Sequence, residues 1–162
     1  MKSLKSFGLV VVLALALGMG AGCAKKNAEV ENVEPAPVAS TSSALDAAAQ
    51  QITDGVVYFD FDKYDIKAEY RDMLQQKAEL MKQYPSIRVR IEGNCDERGT
   101  QEYNLALGER RARAAYEYMI RLGVPAEQLD IISYGKERPA VEGTGEAVWA
   151  KNRRDEFNVI AR

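Results

Sequence analysis

From Val56 onward, apolar residues recur in two rhythms, period two and period near 3.6, separated by glycine, proline and polar stretches. Val56 to Phe61 is a β-rich run with Val57, Phe59 and Phe61 on one face. Ile66 to Tyr84 carries apolar residues at 66, 70, 73, 74, 78, 81 and 84, which is helical spacing, and Pro85 stops it. Ile87, Val89 and Ile91 alternate with Arg88, Arg90 and Glu92, which predicts a strand with one buried and one wet face. A polar loop over 93–101 leads to a second helix, Tyr103 to Leu122, with Gly123 placed to end it. Pro125 opens a short turn at Ala126 to Gln128, and Leu129 to Tyr134 is a third strand. A loop holding Gly135, Pro139, Gly143 and Gly145 precedes a short helix over Glu146 to Asn152. Glu156 to Ala161 is a last strand, with Phe157 and Val159 facing in. No segment repeats at a fixed period. Strands with one wet face need one covering layer. The expected fold is therefore α+β, a two-layer sandwich of a small mixed four-stranded sheet with helices packed on one face.

The N-terminal part follows neither rhythm. Lys2 and Lys5 precede an uncharged run from Phe7 to Gly22, which is 16 residues long. A membrane span wants about 20. The run ends in Gly18, Gly20, Ala21 and Gly22, small residues of the kind that precede a secretory cleavage site, and Cys23 comes next. An ordinary signal peptide, or a short anchor with an incidental cysteine, fits these residues too. The ending resembles the lipobox of bacterial lipoproteins, with Gly20 where that pattern usually has leucine. The resemblance implies a signal peptide over 1–22 and a Cys23 diacylated on its thiol and acylated on its new amine. The resemblance also implies sorting to the outer membrane, since Ala24 rather than Asp follows the cysteine. More than one acyl chain is what stable anchoring requires.

From Lys25 to about Gln51, Glu29, Glu31, Glu34, Pro35, Pro37 and Ser40 to Ser43 are mixed with alanine and few large apolar residues. Such a stretch buries too little to offset ordering its backbone. Ala44 to Gln51 has the composition for a short helical turn. The expected organisation is a signal over 1–22, a lipidated cysteine and flexible tether over 23–54, and one folded domain over 55–162.

Charge and composition exclude more than they assign. The 162 residues hold 22 basic and 24 acidic side chains, net −2, with no histidine and two cysteines. Loss of 1–22 removes Lys2 and Lys5 and no acid, taking the net to −4. A nucleic-acid binder would show a basic surplus. Without histidine the commonest general base and metal ligand are missing, and Cys23 with Cys95 cannot build a zinc site. Asp60, Asp62 and Asp65 suit turns and an N-cap. They fail as a calcium loop, whose fifth, sixth and twelfth positions would be Tyr64, Asp65 and Arg71.

One residue of the second helix is out of place. With Leu107 at 0° and about 100° per residue, Ala114, Tyr118, Leu122, Ala115 and Met119 form a stripe from roughly 340° to 120°. Arg111 falls at about 40°, inside it. A charge there needs a partner. The residues allow a structural ion pair, an arginine snorkelling from the stripe's edge, or a partner supplied from outside.

The loop ahead of that helix reads Glu92-Gly93-Asn94-Cys95-Asp96-Glu97-Arg98-Gly99-Thr100 and continues as Tyr103-Asn104, Leu107-Gly108 and Arg111-Ala112. With Tyr58 to Ile66, Ser133 to Glu137 and Lys151 to Arg154, it resembles the OmpA-like peptidoglycan-binding domain family, over residues 55–160 in the same order. The anchor and tether resemble its lipid-anchored members. The resemblance implies a site for the diaminopimelate of the peptidoglycan stem peptide, whose free end carries an ammonium and a carboxylate on one carbon. Asp96 matches the residue that takes the ammonium and Arg111 the one that takes the carboxylate through a bidentate fork. Phe61, Asp62, Arg98 and Leu107 are implied around the pocket, with Asn104 supporting the loop. Asn94-Cys95 departs from the His-Ala or His-Thr of many members.

The resemblance further implies a non-enzymatic outer-membrane lipoprotein, its head facing the periplasm, that binds peptidoglycan non-covalently without cofactor or metal. It also implies the Tol–Pal system, which draws the outer membrane inward during division, with TolB as a competing partner beside other Tol or outer-membrane proteins. The alternatives are a different wall anchor of the same superfamily, and a wall-cleaving enzyme working through two carboxylates. No nucleophile–base set in the sequence supports the enzyme.

Overall fold

A computed structural model describes residues 38–162, with side chains from Ser42. The signal peptide, Cys23, Ala24 and the tether up to Pro37 lie outside the described residues. Four strands, β1 (Val57–Tyr58), β2 (Arg88–Asn94), β3 (Leu129–Gly135) and β4 (Arg154–Ala161), form one sheet in the order β1-β4-β2-β3. β4 is antiparallel to both β1 and β2, and β2 is parallel to β3. The sheet is mixed, as expected. Parallel β2 and β3 need a crossover, and the helix α3 (Gln101–Arg121) supplies it. The inward residues Val89, Ile91 and Phe157 meet Ala112, Ala115 and Met119 of α3 and Leu74, Ala78 and Met81 of α2 (Arg71–Gln83) in a single core.

That core extends further toward the N-terminus than the sequence pattern predicts. Residues Val38–Thr53 form a helix, α1, and its Ala48, Ala49 and Ile52 are buried against the rest of the core. The expected tether over 23–54 therefore gives way to ordered structure before residue 54. Alanine favours helix and packs closely, yet it leaves no conspicuous apolar stripe. The end of α1 is tied down by Lys77 of α2, whose ammonium donates to the carbonyls of Ile52 and Asp54. Burial pushes that ammonium down to about 8.

Other element boundaries move as well, with consequences for the site. The first strand does not reach Phe61: its ladder holds only Val57 and Tyr58, Phe59 N–H donates to the Arg153 carbonyl at 3.0 Å, and the chain then turns away. Asp62 sits in the left-handed region at φ 59°, and Phe61, expected on one strand face with Val57 and Phe59, is 59% exposed while those two are buried. The helix expected from Ile66 begins instead as a 3₁₀ turn over Ala68–Tyr70. Its cap position is Lys67 and that of α2 is Tyr70, so Asp65 caps neither. α3 starts at Gln101, two residues early, because Thr100 accepts a bond from Tyr103 N–H and caps it. α4 (Glu146–Asn152) lies where the pattern puts it, and β4 opens at Arg154.

Candidate functional site

Gly93 and Gly108 bring α3 unusually close to β2. A Cβ on Gly93 would run into the carbonyl of Gly108, and one on Gly108 would meet the Ser133 hydroxyl and lie 2.9 Å from the Gly93 carbonyl oxygen. Only glycine allows this approach. One helical turn further along α3, Arg111 therefore reaches the end of β2 rather than the middle of the core.

Arg111 is 1% exposed. Its Nε donates to the Lys63 carbonyl at 2.8 Å and Nη1 to that of Asn94 at 2.9 Å, while Nη1 also meets Cys95 Sγ at 3.4 Å. Nη2 reaches the Asp60 carbonyl at 3.3 Å, the longest of its bonds to oxygen. None of these partners is a carboxylate. The buried cation is held by backbone carbonyls from the 60–63 turn and the end of β2, and an ion pair is not what holds it. Of the five donors of a guanidinium, one on Nη2 is left over. Burial pulls the Arg111 guanidinium below its ordinary value, with its acidic neighbours Cys95, Asp155 and Asp96 opposing the shift. Cys95 Sγ donates onward to the Asn104 carbonyl at 3.3 Å, and burial pushes the thiol up to about 11. Asp155 of β4 is fully buried, and its two carboxylate oxygens find no hydrogen-bond partner among the described residues.

Asp96 follows directly where β2 leaves the sheet. Register slips between Gly93 and Asn94, and Cys95 N–H donates to the Gly135 carbonyl at 2.7 Å. Asp96 is 4% exposed and takes four bonds. Oδ1 accepts from Arg98 N and Nε, both at 3.1 Å, and Oδ2 from Arg98 Nη2 at 2.6 Å and Arg153 Nη1 at 3.3 Å. Burial pushes its carboxyl up, but the bonds from Arg98 and Arg153 outweigh that and hold it below the ordinary range. Asn104 stitches the loop, its amide donating to the carbonyls of Arg98 at 2.8 Å and Thr100 at 3.0 Å.

Phe61, Asp62, Asp96, Arg98, Asn104, Leu107 and Arg111 line one pocket, so the structure brings all seven expected residues together. Three further walls, Cys95, Tyr103 and Arg153, lie within the quoted motifs but are not among the expected site residues. Tyr103 donates its hydroxyl to Asp62. Arg153 is buried, bonded to the Phe59 carbonyl at 2.9 Å and to Glu146 at 2.5 Å. The signal for Arg153 is its place in the Lys151 to Arg154 motif. The pocket has a volume of ≈ 20 Å³, about that of one water. Larger depressions exist, such as one of ≈ 400 Å³ beside α1 and the end of β4, but it joins no buried charges of opposite sign. Of these two, the small pocket is the one that joins buried charges. It presents a buried carboxylate and a buried guanidinium that has no carboxylate of its own, which suits a ligand end carrying both charges.

The chain as a whole is similar to known proteins. Residues 58–153 match the OmpA family. A peptidoglycan-associated lipoprotein of Pseudomonas aeruginosa is 42% identical over 170 residues, covering 97% of this chain and 99% of its own length. One from Haemophilus influenzae is 48% identical over 116 residues, 72% of this chain and 76% of that protein. The crystal structure of the peptidoglycan-associated lipoprotein from Burkholderia pseudomallei, 45% identical, matches with a TM-score of 0.66 over 67% of this chain and 92% of that one. None of these matches indicates an enzyme family. With 59% of its residues inside the family match and a full-length relative at 42%, the chain belongs to the OmpA family, among its peptidoglycan-associated lipoproteins.

Proposed function

We propose that this protein is an outer-membrane lipoprotein that holds peptidoglycan through the free end of diaminopimelate in the stem peptide. Asp96 takes the ammonium and Arg111 the carboxylate. The observation that carries the reading is the pairing of a buried carboxylate and a buried, carboxylate-free guanidinium around one pocket. The names of its relatives support the same ligand class. The Arg111 contact is narrower than a full fork. The unused Nη2 donor and the 3.3 Å bond to the Asp60 carbonyl are what a ligand carboxylate would engage. Leu107 and Phe61 supply apolar contact for the methylenes of the diaminopimelate side chain.

By the same reading Cys23 is held at the outer membrane through its acyl chains, the head lies in the periplasm, and the protein works in the Tol–Pal system with TolB competing for it. Sedimentation with purified peptidoglycan sacculi tests the wall contact. Wild-type protein is expected in the pellet and Asp96→Asn in the supernatant, with no soluble wall fragments released in either case. Equal pelleting of the two proteins would refute the site.

A further inference from the structure

The geometry points to a pocket that is self-occupied in the free protein: Arg98, held over the rings of Phe61 and Trp149, sits on Asp96 in the place the ligand ammonium must win, and Trp149 governs how readily it yields. This rests on the reading that Asp96 receives an ammonium. A carboxylate offers about four acceptor positions. In Asp96 all four are in use, three by Arg98 and one by Arg153. Arg153 is buried and anchored by Phe59 and Glu146, and the Arg98 N–H belongs to the backbone. The two bonds from the Arg98 guanidinium are the displaceable ones, since that side chain is 30% exposed. The ≈ 20 Å³ that remains cannot admit a carbon bearing both an ammonium and a carboxylate unless a side chain moves.

Several contacts hold Arg98 where it is. Its guanidinium carbon lies 4.1 Å from the centre of the Phe61 ring and 4.0 Å from that of Trp149, within cation–π distance of both. Trp149 is fixed in turn by donating its indole N–H to Glu97 at 2.9 Å, so α4 grips the loop at the residue before Arg98. Phe61 projects from the surface and is free to follow Arg98 outward. The arrangement keeps the buried Asp96 paired when no ligand is present, avoiding an uncompensated charge.

It also sets selectivity. An ammonium that displaces Arg98 replaces one cation by another and gains little. A carboxylate delivered to Arg111 in the same step tips the balance, so a plain amine is rejected and a ligand end carrying both charges is accepted. Affinity is lowered by the fraction of molecules in which Arg98 is seated.

Trp149 is the only tryptophan in the chain, so its fluorescence reports the clamp directly. The experiment uses the full-length protein and two stem tripeptides, one ending in diaminopimelate and one in lysine, followed by stopped-flow fluorescence and calorimetry. The diaminopimelate peptide is expected to change Trp149 emission at a rate that levels off as peptide is raised, because Arg98 must leave first. Trp149→Leu, checked for an unchanged melt, should raise affinity for that peptide roughly two- to fivefold, the worth of one such contact at a half-exposed site. Trp149→Phe should fall between the two. Arg98→Gln should admit the lysine peptide that wild type rejects, since Asp96 is then short of a cation. Calorimetric binding with silent Trp149 emission, or loss of affinity in both Trp149→Leu and Arg98→Gln, would overturn the self-occupied pocket while leaving the wall-binding reading intact. No calorimetric binding to wild type would remove both.

Discussion

Arg111 Nη1 donates to the carbonyl of Asn94, two residues before Asp96, at 2.9 Å. The cation is thereby braced on the same backbone turn that presents the anion, and any shift of α3 moves the two against each other. Arg111 supports the loops and, on the proposed reading, also reads a carboxylate, and its substitutions should separate the two. Arg111→Ala leaves the carbonyls of Lys63, Asn94 and Asp60 short of a donor, each at about 1 kcal/mol or more where buried. It should lower the melting temperature and also lose about 2–5 kcal/mol of binding. Arg111→Lys should recover part of the stability and little of the binding, because an ammonium cannot span these partners and a ligand at once. Thermal melts beside peptide calorimetry check this. A lysine variant that binds like wild type would show that the guanidinium does not read the carboxylate.

Gly108→Ala tests the close approach of α3 to β2. The added Cβ would meet the Ser133 hydroxyl and the Gly93 carbonyl. Forcing them apart costs about 1–3 kcal/mol and carries Arg111 away from Asn94. Sacculus binding should fall in variants that are still folded by circular dichroism. Gly108→Ala with Ser133→Ala in the same chain should regain part of both properties, and no regain would locate the clash at the backbone.

Asp155 gives the protein a pH dependence of unusual sign. Burial pushes its carboxyl well above the ordinary range, against the pull of Arg111. It keeps its proton in the folded state where the unfolded chain would release it. Below about pH 4 both states hold the proton and its contribution is complete. As the pH rises past that value the unfolded state gains by ionising, and stability falls until the folded carboxyl ionises as well. Asp155→Val should therefore melt above wild type near neutral pH, with the gap closing toward pH 4. Melts across this range decide it. A variant that melts lower at neutral pH would mean that Asp155 is ionised and serves Arg111 as its counter-charge.

Cys23→Ser addresses the anchor, which rests on the small-residue run ending at Cys23. The expected outcome is a folded head found in the soluble fraction once peptidoglycan is digested. Persistence of the variant in the membrane pellet after digestion would contradict lipid attachment at Cys23.

Arg111 is legible in the sequence as a charge inside an apolar stripe that needs a partner, and its link to Asp96 because the loop ahead of that helix carries a motif. The layer of helices, the wet-faced strands and the glycine end of α3 come from periodicity alone. Other parts are hidden for identifiable reasons. α1 buries its face with Ala48 and Ala49, whose small side chains leave little pattern. Phe61 has the spacing of an inward strand residue, yet the chain quits the sheet at Phe59 to form a turn around Asp62. The Arg98 clamp joins residues 98 and 149, and the Trp149–Glu97 bond spans 52 positions, a separation no local pattern encodes. Arg153 is visible as part of a motif, but its bond to Asp96 emerges only when β4 is laid beside the loop.

The most direct measurement compares two peptides against two proteins by calorimetry. A stem tripeptide ending in diaminopimelate offers both an ammonium and a carboxylate, whereas one ending in lysine lacks the distal carboxylate. Wild-type protein should bind the first and bind the second poorly. Arg111→Lys should lose most of its affinity for the first and change little toward the second, collapsing the difference between them. Equal affinity of the wild type for the two peptides would contradict the assignment of Arg111 as the carboxylate reader, and with it the central claim that this pocket recognises the charged end of diaminopimelate.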